Sequence, residues 1–288
     1  MSDASALDKR QMRRSFEKAA SAYDQAAVLQ REVATRALER LDLVRINPAI
    51  IVDAGCGTGF ALPSLHKRYP RAVLVALDIA IDMLQKSRQR IPKWKMWAGA
   101  RKAVFVCGDN ETLPLKDACA DMLWSMLSFH WANDMTAVFA ESRRILKPGG
   151  LLMFTTFGPD TLKELRSAWA IDSNIHVNRF IDMHDIGDMM VAAGFSDPVM
   201  DMEYLTLTYE DIHSLMRELK AVGAHNVAIG RNRGLTGKRT LKQIELRYES
   251  VRQAGRLPAT FEVIYGHAWK PTPRVSPGGR QVIDIKAA

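Results

Sequence analysis

The run Asp53-Ala54-Gly55-Cys56-Gly57-Thr58-Gly59 sets three glycines at alternate positions behind a carboxylate. Glycine permits a sharp turn and lets the backbone come close to a ligand, while amide groups opening a following helix can point at it. Asp78 lies about twenty residues further on, the interval at which an acidic side chain accepts hydrogen bonds from both hydroxyls of a ribose. Gly108-Asp109-Asn110 adds polar groups suited to the edge of an adenine ring. A glycine loop alone is often only a tight turn, and Asp78 or Asp109 alone reads as a solvated strand-end carboxylate. The ordered set points to a nucleoside-bearing ligand. The three cysteines, Cys56, Cys107 and Cys119, form no CxxC pair and leave one unpaired, which argues against a disulfide framework or a zinc site.

Residues of these types act together only if the chain brings them to one edge. Segments 50–52, 72–77, 104–107, 122–126 and 151–156 read as short apolar strands, with helices predicted over 58–69, 79–91 and 135–146. Continuous apolar strands alternating with helices predict a doubly wound, mostly parallel sheet covered on both faces, whose strand-end loops share one crevice. Lys147-Pro148-Gly149-Gly150 reads as the helix stop before the fifth strand. Residues 8–45 read as helix, with Phe16, Ala19, Ala20 and Tyr23 at helical spacing, closed by Pro48. Beyond Phe157, helices are predicted over 162–170, 181–193 and 210–221, and strands over 199–207 and 260–268, the last antiparallel. Segment 225–242, rich in Gly and Arg, reads as loop, and Pro271, Pro273, Pro277, Gly278 and Gly279 mark a loose tail. The expected organisation is a helical segment or lid at 1–47, a main domain at 48–269 with helical insertions at about 158–180 and 209–256, and a tail at 270–288.

The GxGxG pattern behind a carboxylate differs from the GxGxxG of dinucleotide sites and resembles the S-adenosylmethionine (SAM) loop of class I methyltransferases, whose sheet is Rossmann-like. More specific motifs follow. Phe16-Glu17-Lys18-Ala19-Ala20-Ser21-Ala22-Tyr23-Asp24, Phe157-Gly158-Pro159-Asp160-Thr161-Leu162-Lys163-Glu164-Leu165, His176-Val177-Asn178-Arg179-Phe180, the run from Met216 to Ala224 and Leu235-Thr236-Gly237-Lys238 resemble the biotin-pathway malonyl-[acyl-carrier protein] O-methyltransferase family over nearly the whole chain. The run from Ser125 to Trp131, the Phe-Gly-x-Asp-Thr-Leu stretch and Pro258-Ala259-Thr260-Phe261 also resemble a related mitochondrial assembly-factor family that hydroxylates a protein arginine. The alternative is therefore a SAM-binding assembly factor or hydroxylase on the same fold. The histidine and glycine motifs favour the methyltransferase.

The resemblance implies SAM as cofactor and S-adenosylhomocysteine as product, with contacts from Asp53, Gly55, Cys56, Gly57, Gly59, Asp78, Ile79, Asp109, Asn110 and Ser125. The implied reaction methylates the free carboxylate of a malonyl thioester. That carboxylate is already ionised at pH 7, so no general base is required. The site has to hold one oxygen about 3 Å from the methyl donor and in line with the breaking bond. Charge disappears as donor cation and acceptor anion meet, so a dry site helps. An Arg clamped onto the attacking carboxylate would stabilise the ground state more than the transition state. Arg179 is therefore expected to orient, with Tyr23, His130 and Trp131 as lid and pocket walls. Each has a plainer reading: Tyr23 docks its helix, His130 and Trp131 pack a strand end, and Arg179 pairs with Asp182.

Forty Lys and Arg against 32 Asp and Glu leave a charge of +8, which favours an acidic partner. Lys86, Arg88, Arg90, Lys93, Lys95, Arg101 and Lys102 form one basic cluster, read as a solvated face. Arg231, Arg233, Lys238, Arg239 and Lys242 form another, beside the family motifs. It is expected to meet an acidic acyl-carrier protein, with malonyl-CoA as the alternative substrate. A nucleic-acid methyltransferase is disfavoured, because Ser125-Met126-Leu127-Ser128 stands where amine-methylating enzymes carry Asn/Asp-Pro-Pro-aromatic. The 47% apolar composition argues against a disordered chain, and no unbroken apolar stretch reaches the ~20 residues of a membrane span. A polar opening from Met1 to Arg14 and the free thiols predict the cytoplasm.

Overall fold

A computed structural model describes residues 6–91, 103–171, 175–231, 234 and 237–273. Seven strands form one sheet: β1 (Ile50–Ala54), β2 (Val73–Asp78), β3 (Ala103–Cys107), β4 (Ala120–Met126), β5 (Leu146–Phe157), β6 (Ser196–Tyr209) and β7 (Leu257–Trp269). Their order is β3-β2-β1-β4-β5-β7-β6. β1 to β5 are mutually parallel, and β7 runs antiparallel to both neighbours, as predicted for the last strand. The order reverses between β1 and β4, so the loops after β1, β2, β3 and β4 open on one crevice at the carboxyl edge.

Adjacent residues of each central strand serve opposite cores. Ile51, Leu74 and Leu151 face helices α3 (Val28–Arg40), α4 (Leu62–Arg68), α7 (Lys163–Trp169), α9 (Ile212–Ala221) and α10 (Lys238–Glu249). Val52, Val75 and Leu152 face α6 (Met135–Ile145) and α8 (Met183–Ala192). Burial on both faces explains why these strands are apolar throughout. Met190 is fully buried, and Met189, Met200 and Met202 pack against the same core as filling.

Four sequence expectations need correction. The N-terminal helix is not continuous over 8–45: α1 (Lys9–Ala19) and α2 (Tyr23–Ala26) are separated from each other and from α3 by breaks, with Ala27 at φ −78° and ψ 52°, and a 3-10 turn (Leu41–Leu43) follows. Tertiary bonds from Asp24 hold α2 in place. The helix after the glycine loop starts at Leu62 rather than Thr58, because the loop runs on through Gly59 at φ +78°. Lys147-Pro148-Gly149-Gly150 lies inside β5 as an irregularity: Ala120 pairs Leu146 while Met122 pairs Leu151, and Gly149 turns at φ +77°. The loop expected through Lys242 ends earlier, since α10 begins at Lys238 and anchors Ile244 and Tyr248 in the core. α5 (Ile81–Gln89) joins β2 to the stretch preceding β3. The predicted tail beyond residue 273 lies outside the described residues, as do Lys93, Lys95, Arg101, Lys102, Arg233, Leu235 and Thr236.

Candidate active site

Past Ala54 the chain turns hard at Gly55, whose N–H, like that of Cys56, donates to the Leu77 carbonyl (2.7 and 2.9 Å). Gly55, Gly57 and Gly59 all have positive φ, where a side chain is strained. Gly55 and Gly59 are also sterically closed: a Cβ would lie 1.9 Å from Ser128 Oγ at the first and 2.4 Å from Ser87 Oγ at the second. At Gly57 a Cβ would meet nothing within 4 Å. This glycine lines the crevice and leaves its backbone bare toward it.

Asp78 ends β2 under the loop. Its two oxygens accept the N–H of Gly57 and of Ala80, each at 2.8 Å. Burial pushes its carboxyl up to about 6 against the pull of those amides, and burial beside Asp78 pushes Asp53 up to about 8. Each Asp78 oxygen keeps lone-pair capacity for a further donor. Beyond β3, Asp109 accepts from Lys9 Nζ (3.0 Å), which also pairs with Glu111. Asn110 Nδ2 donates to Ser128 Oγ (2.9 Å), and its buried Oδ1 has no partner among the described residues.

Gly55, Gly57, Asp78, Ile79, Asp109 and Asn110 thus line one crevice of about 90 Å³. Asp53, Cys56, Gly59 and Ser125 do not line it. Ser125 is fully buried and donates to the Ala54 carbonyl (2.7 Å), tying β4 to β1 beneath the loop. Burial raises the Cys56 thiol well above its ordinary range, so it is an inert part of the floor. The sequence reading missed Ser128, three residues past Ser125, and the α1 face of Lys9, Met12 and Phe16 that roofs the crevice. The helical spacing of Met12 and Phe16 was visible, but not what they would cover.

Tyr23 also lines the crevice, and burial next to Asp78 and Asp24 raises its phenol. Asp24 beside it accepts from Thr58 Oγ1 (2.6 Å) and pairs with Arg90 (2.6 Å), which donates to the Thr58 carbonyl (2.7 Å). Arg90, from the cluster read as a solvated face, therefore fastens α2 to the glycine loop.

A second cavity of about 690 Å³ adjoins the first, sharing the walls Gln30, His130, Trp131, Phe157, Val222 and Ala224. His130 packs against Trp131, Phe157 and Phe180, with ring centres 5.3, 4.7 and 5.7 Å away. Burial drives its imidazole down to about 3, so the ring is neutral, and Nδ1 has no partner among the described residues. Arg179 is exposed and lines neither cavity, although its neighbours Asn178 and Phe180 line the larger one. It makes no ion pair with Asp182 among the described residues; Asp182 caps α8, accepting from His184 N at 2.8 Å. Arg231 lines the larger cavity and donates to the Ala228 carbonyl (2.8 Å). Lys238 and Arg239 open α10 directly after Gly237, another lining residue. Among the described residues, no helix is long and apolar enough to cross a membrane.

A family model described as "Methyltransferase domain" matches residues 52–154. The malonyl-[acyl-carrier protein] O-methyltransferase of Nitrosospira multiformis is 54% identical over 281 residues, spanning 94% of this chain and 92% of that protein. The Gallionella capsiferriformans protein of the same name is 53% identical, with 96% of each chain covered. A solved Thermotoga maritima structure described as a SAM-dependent methyltransferase superposes with a TM-score of 0.51 at 16% identity, covering 90% of this chain and 99% of that one, a likeness of fold.

Proposed function

The chain belongs to the malonyl-[acyl-carrier protein] O-methyltransferase family, and from that premise we propose that it transfers the methyl group of SAM to the free carboxylate of malonyl-acyl-carrier protein. The observation that carries this reading is identity above 50% across nearly the full length of both partners in each comparison. The geometry supports it: a crevice at the glycine loop shares a wall with a larger, mainly apolar cavity.

The crevice suits SAM. Asp78 has lone pairs for ribose hydroxyls, the Gly57 backbone is open, and Asn110 Oδ1 is buried without a donor among the described residues. Gly55, Gly57, Asp78, Ile79, Asp109 and Asn110 would hold the cofactor, with Asp53, Cys56, Gly59 and Ser125 as the floor that shapes the loop. When bound, SAM supplies a methyl group activated by a neighbouring sulfonium charge.

The protein's own part is positioning. The acceptor carboxylate needs no base, and neutral His130 takes no proton from it. Trp131, Phe157 and Phe180 around His130 exclude water where the anion would enter, strengthening the electrostatics there. Arg179, solvated beside two lining residues, would orient the carboxylate without clamping it, and Tyr23 would close over the cofactor. Arg231, Arg233, Lys238 and Arg239 would form the rim that meets the acidic carrier, with malonyl-CoA as an alternative methyl acceptor. We place the enzyme in the cytoplasm, with its ester priming biotin synthesis.

The test is a mass spectrum of malonyl-carrier protein and of malonyl-CoA after incubation with protein and SAM. A gain of one methylene in mass, removed by mild ester hydrolysis, is expected on the carrier. SAM uptake with neither thioester methylated would overturn the reading and restore the assembly-factor or hydroxylase alternative.

A further inference from the structure

Five buried side-chain polar atoms lack a hydrogen-bond partner among the described residues: Asn110 Oδ1, Trp124 Nε1, His130 Nδ1, Asn178 Oδ1 and His225 Nδ1. Trp124 sits in the core. The other four belong to residues lining the crevice, the large cavity or the wall between them. Buried polar groups are rarely left unpaired, so a ligand is the natural source of their partners.

Two of the four, Asn178 and His225, line the large cavity alone. The proton position on His225 follows from its neighbour. Ser15, buried in α1, gives its one hydroxyl proton to the Gln11 carbonyl (2.8 Å). Its oxygen can then only accept from His225 Nε2, 2.9 Å away. A neutral imidazole donating from Nε2 has a bare lone pair on Nδ1. Burial together with the charges of Arg231, Lys220 and Lys18 opposes protonation and keeps the ring neutral. His225 Nδ1 and Asn178 Oδ1 are therefore both acceptors, and they call for a ligand that brings N–H or O–H groups.

A malonate end cannot satisfy them, because an ionised carboxylate brings only further lone pairs. Nor can a three-carbon acid fill about 690 Å³, a volume typical of sites for drug-sized ligands. The remainder of a biological thioester can do both. A pantetheine arm is long and partly apolar, and it carries two amide N–H groups and a hydroxyl. We propose that the large cavity is a subsite for the pantetheine arm of the malonyl thioester, with His225 Nδ1 and Asn178 Oδ1 accepting hydrogen bonds from its amides. This rests on the thioester reading above and names the part of the substrate that the cavity reads. Ser15 is a positioning residue that fixes the His225 tautomer. It stands on α1, the helix that also roofs the cofactor crevice through Met12 and Phe16.

The experiment compares kcat/KM for malonyl-pantetheine with that for malonyl butyl thioester, which has the same reacting end and no amide. Wild type is expected to prefer the arm by well over tenfold. H225F and N178L should each cut that preference ratio by roughly tenfold, the effect of one buried hydrogen bond. N178D, which keeps an acceptor, should retain most of it. Malonyl-CoA and malonyl-carrier protein share the arm and should lose by the same factor in each variant. A wild-type ratio near one overturns the subsite without any variant having to fold. So does a loss confined to the carrier protein, or equal losses on pantetheine and butyl thioesters. Failure of wild type to methylate any thioester while binding SAM would instead overturn the methyltransferase reading.

Discussion

In the proposed cofactor site Asp78 would need its charge to accept two ribose hydroxyls, yet its surroundings bring it close to losing that charge. Its carboxyl is pushed up to about 6 from an ordinary value of 3.8, burial outweighing three backbone amides. The folded state therefore holds this proton more tightly than the unfolded chain. Between pH 3.8 and about 6 the site's contribution to stability falls as pH rises. Cofactor affinity runs the other way, because the ionised form is the acceptor. SAM binding followed by calorimetry should weaken roughly tenfold between pH 7.5 and pH 5. Asp78→Asn should abolish that dependence, and Asp78→Ala should weaken binding at pH 7.5 by about 2–3 kcal/mol. Asp53, pushed up to about 8, titrates mainly above this window, so Asp78 dominates the profile. An unchanged affinity in Asp78→Ala would mean that the nucleoside lies elsewhere. Gly55→Ala is a steric counterpart: positive φ and a Cβ inside van der Waals contact of Ser128 should cost several-fold in SAM affinity or folding yield.

Between elements, the decisive contact is the fastening of α2 to the glycine loop through Asp24, Thr58 and Arg90. Asp24 and Arg90 are partly exposed, so their ion pair adds little to stability, while the Thr58 bond is better shielded. Asp24→Ala should therefore lower unfolding stability by only about 1 kcal/mol. It should speed S-adenosylhomocysteine release in stopped-flow experiments several-fold, since Tyr23 loses its anchor. A large stability loss with unchanged release would show that α2 is only packing. The same contact explains what could be read from the sequence. The parallel strands were legible because burial on both faces leaves an apolar run, and the loops after them because glycine and aspartate have few substitutes there. The breaks around α2 were not, since no Gly or Pro marks them and Asp24's partners lie 34 and 66 residues away in the chain. α10 was hidden for a related reason: its Arg- and Lys-rich start is solvated, and only Ile244 and Tyr248 in the core declare the helix. His130 and Tyr23 are legible from their place in motifs. Ser125, near the end of β4, and Ser128, just beyond it, stand three residues apart, and only geometry separates floor from wall.

At the scale of the whole molecule, the sheet's carboxyl edge holds the small crevice and the large cavity, and positive charge lies beside the latter. Lys220, Gly234 and Gly237 are exposed lining residues and mark where that cavity meets solvent, with Arg231 and the start of α10 alongside. An acidic carrier approaching a chain of charge +8 is drawn in from a distance set by salt. The screening length shortens from about 30 Å at 0.01 M to about 8 Å at 0.15 M. Steering, unlike contact, should disappear over that range. Thus kcat/KM for malonyl-carrier protein should fall about tenfold between those salt concentrations. SAM affinity, governed by buried contacts, should hold steady. Malonyl butyl thioester, with one charge and no carrier, should show little dependence. The double substitution K238E/R239E should flatten the carrier's salt curve mainly by lowering its low-salt limb, because reversing two charges removes attraction that high salt already screens. If the curve keeps its slope in that variant, the carrier approaches over a different face, and the cavity's opening beside α10 serves the arm alone.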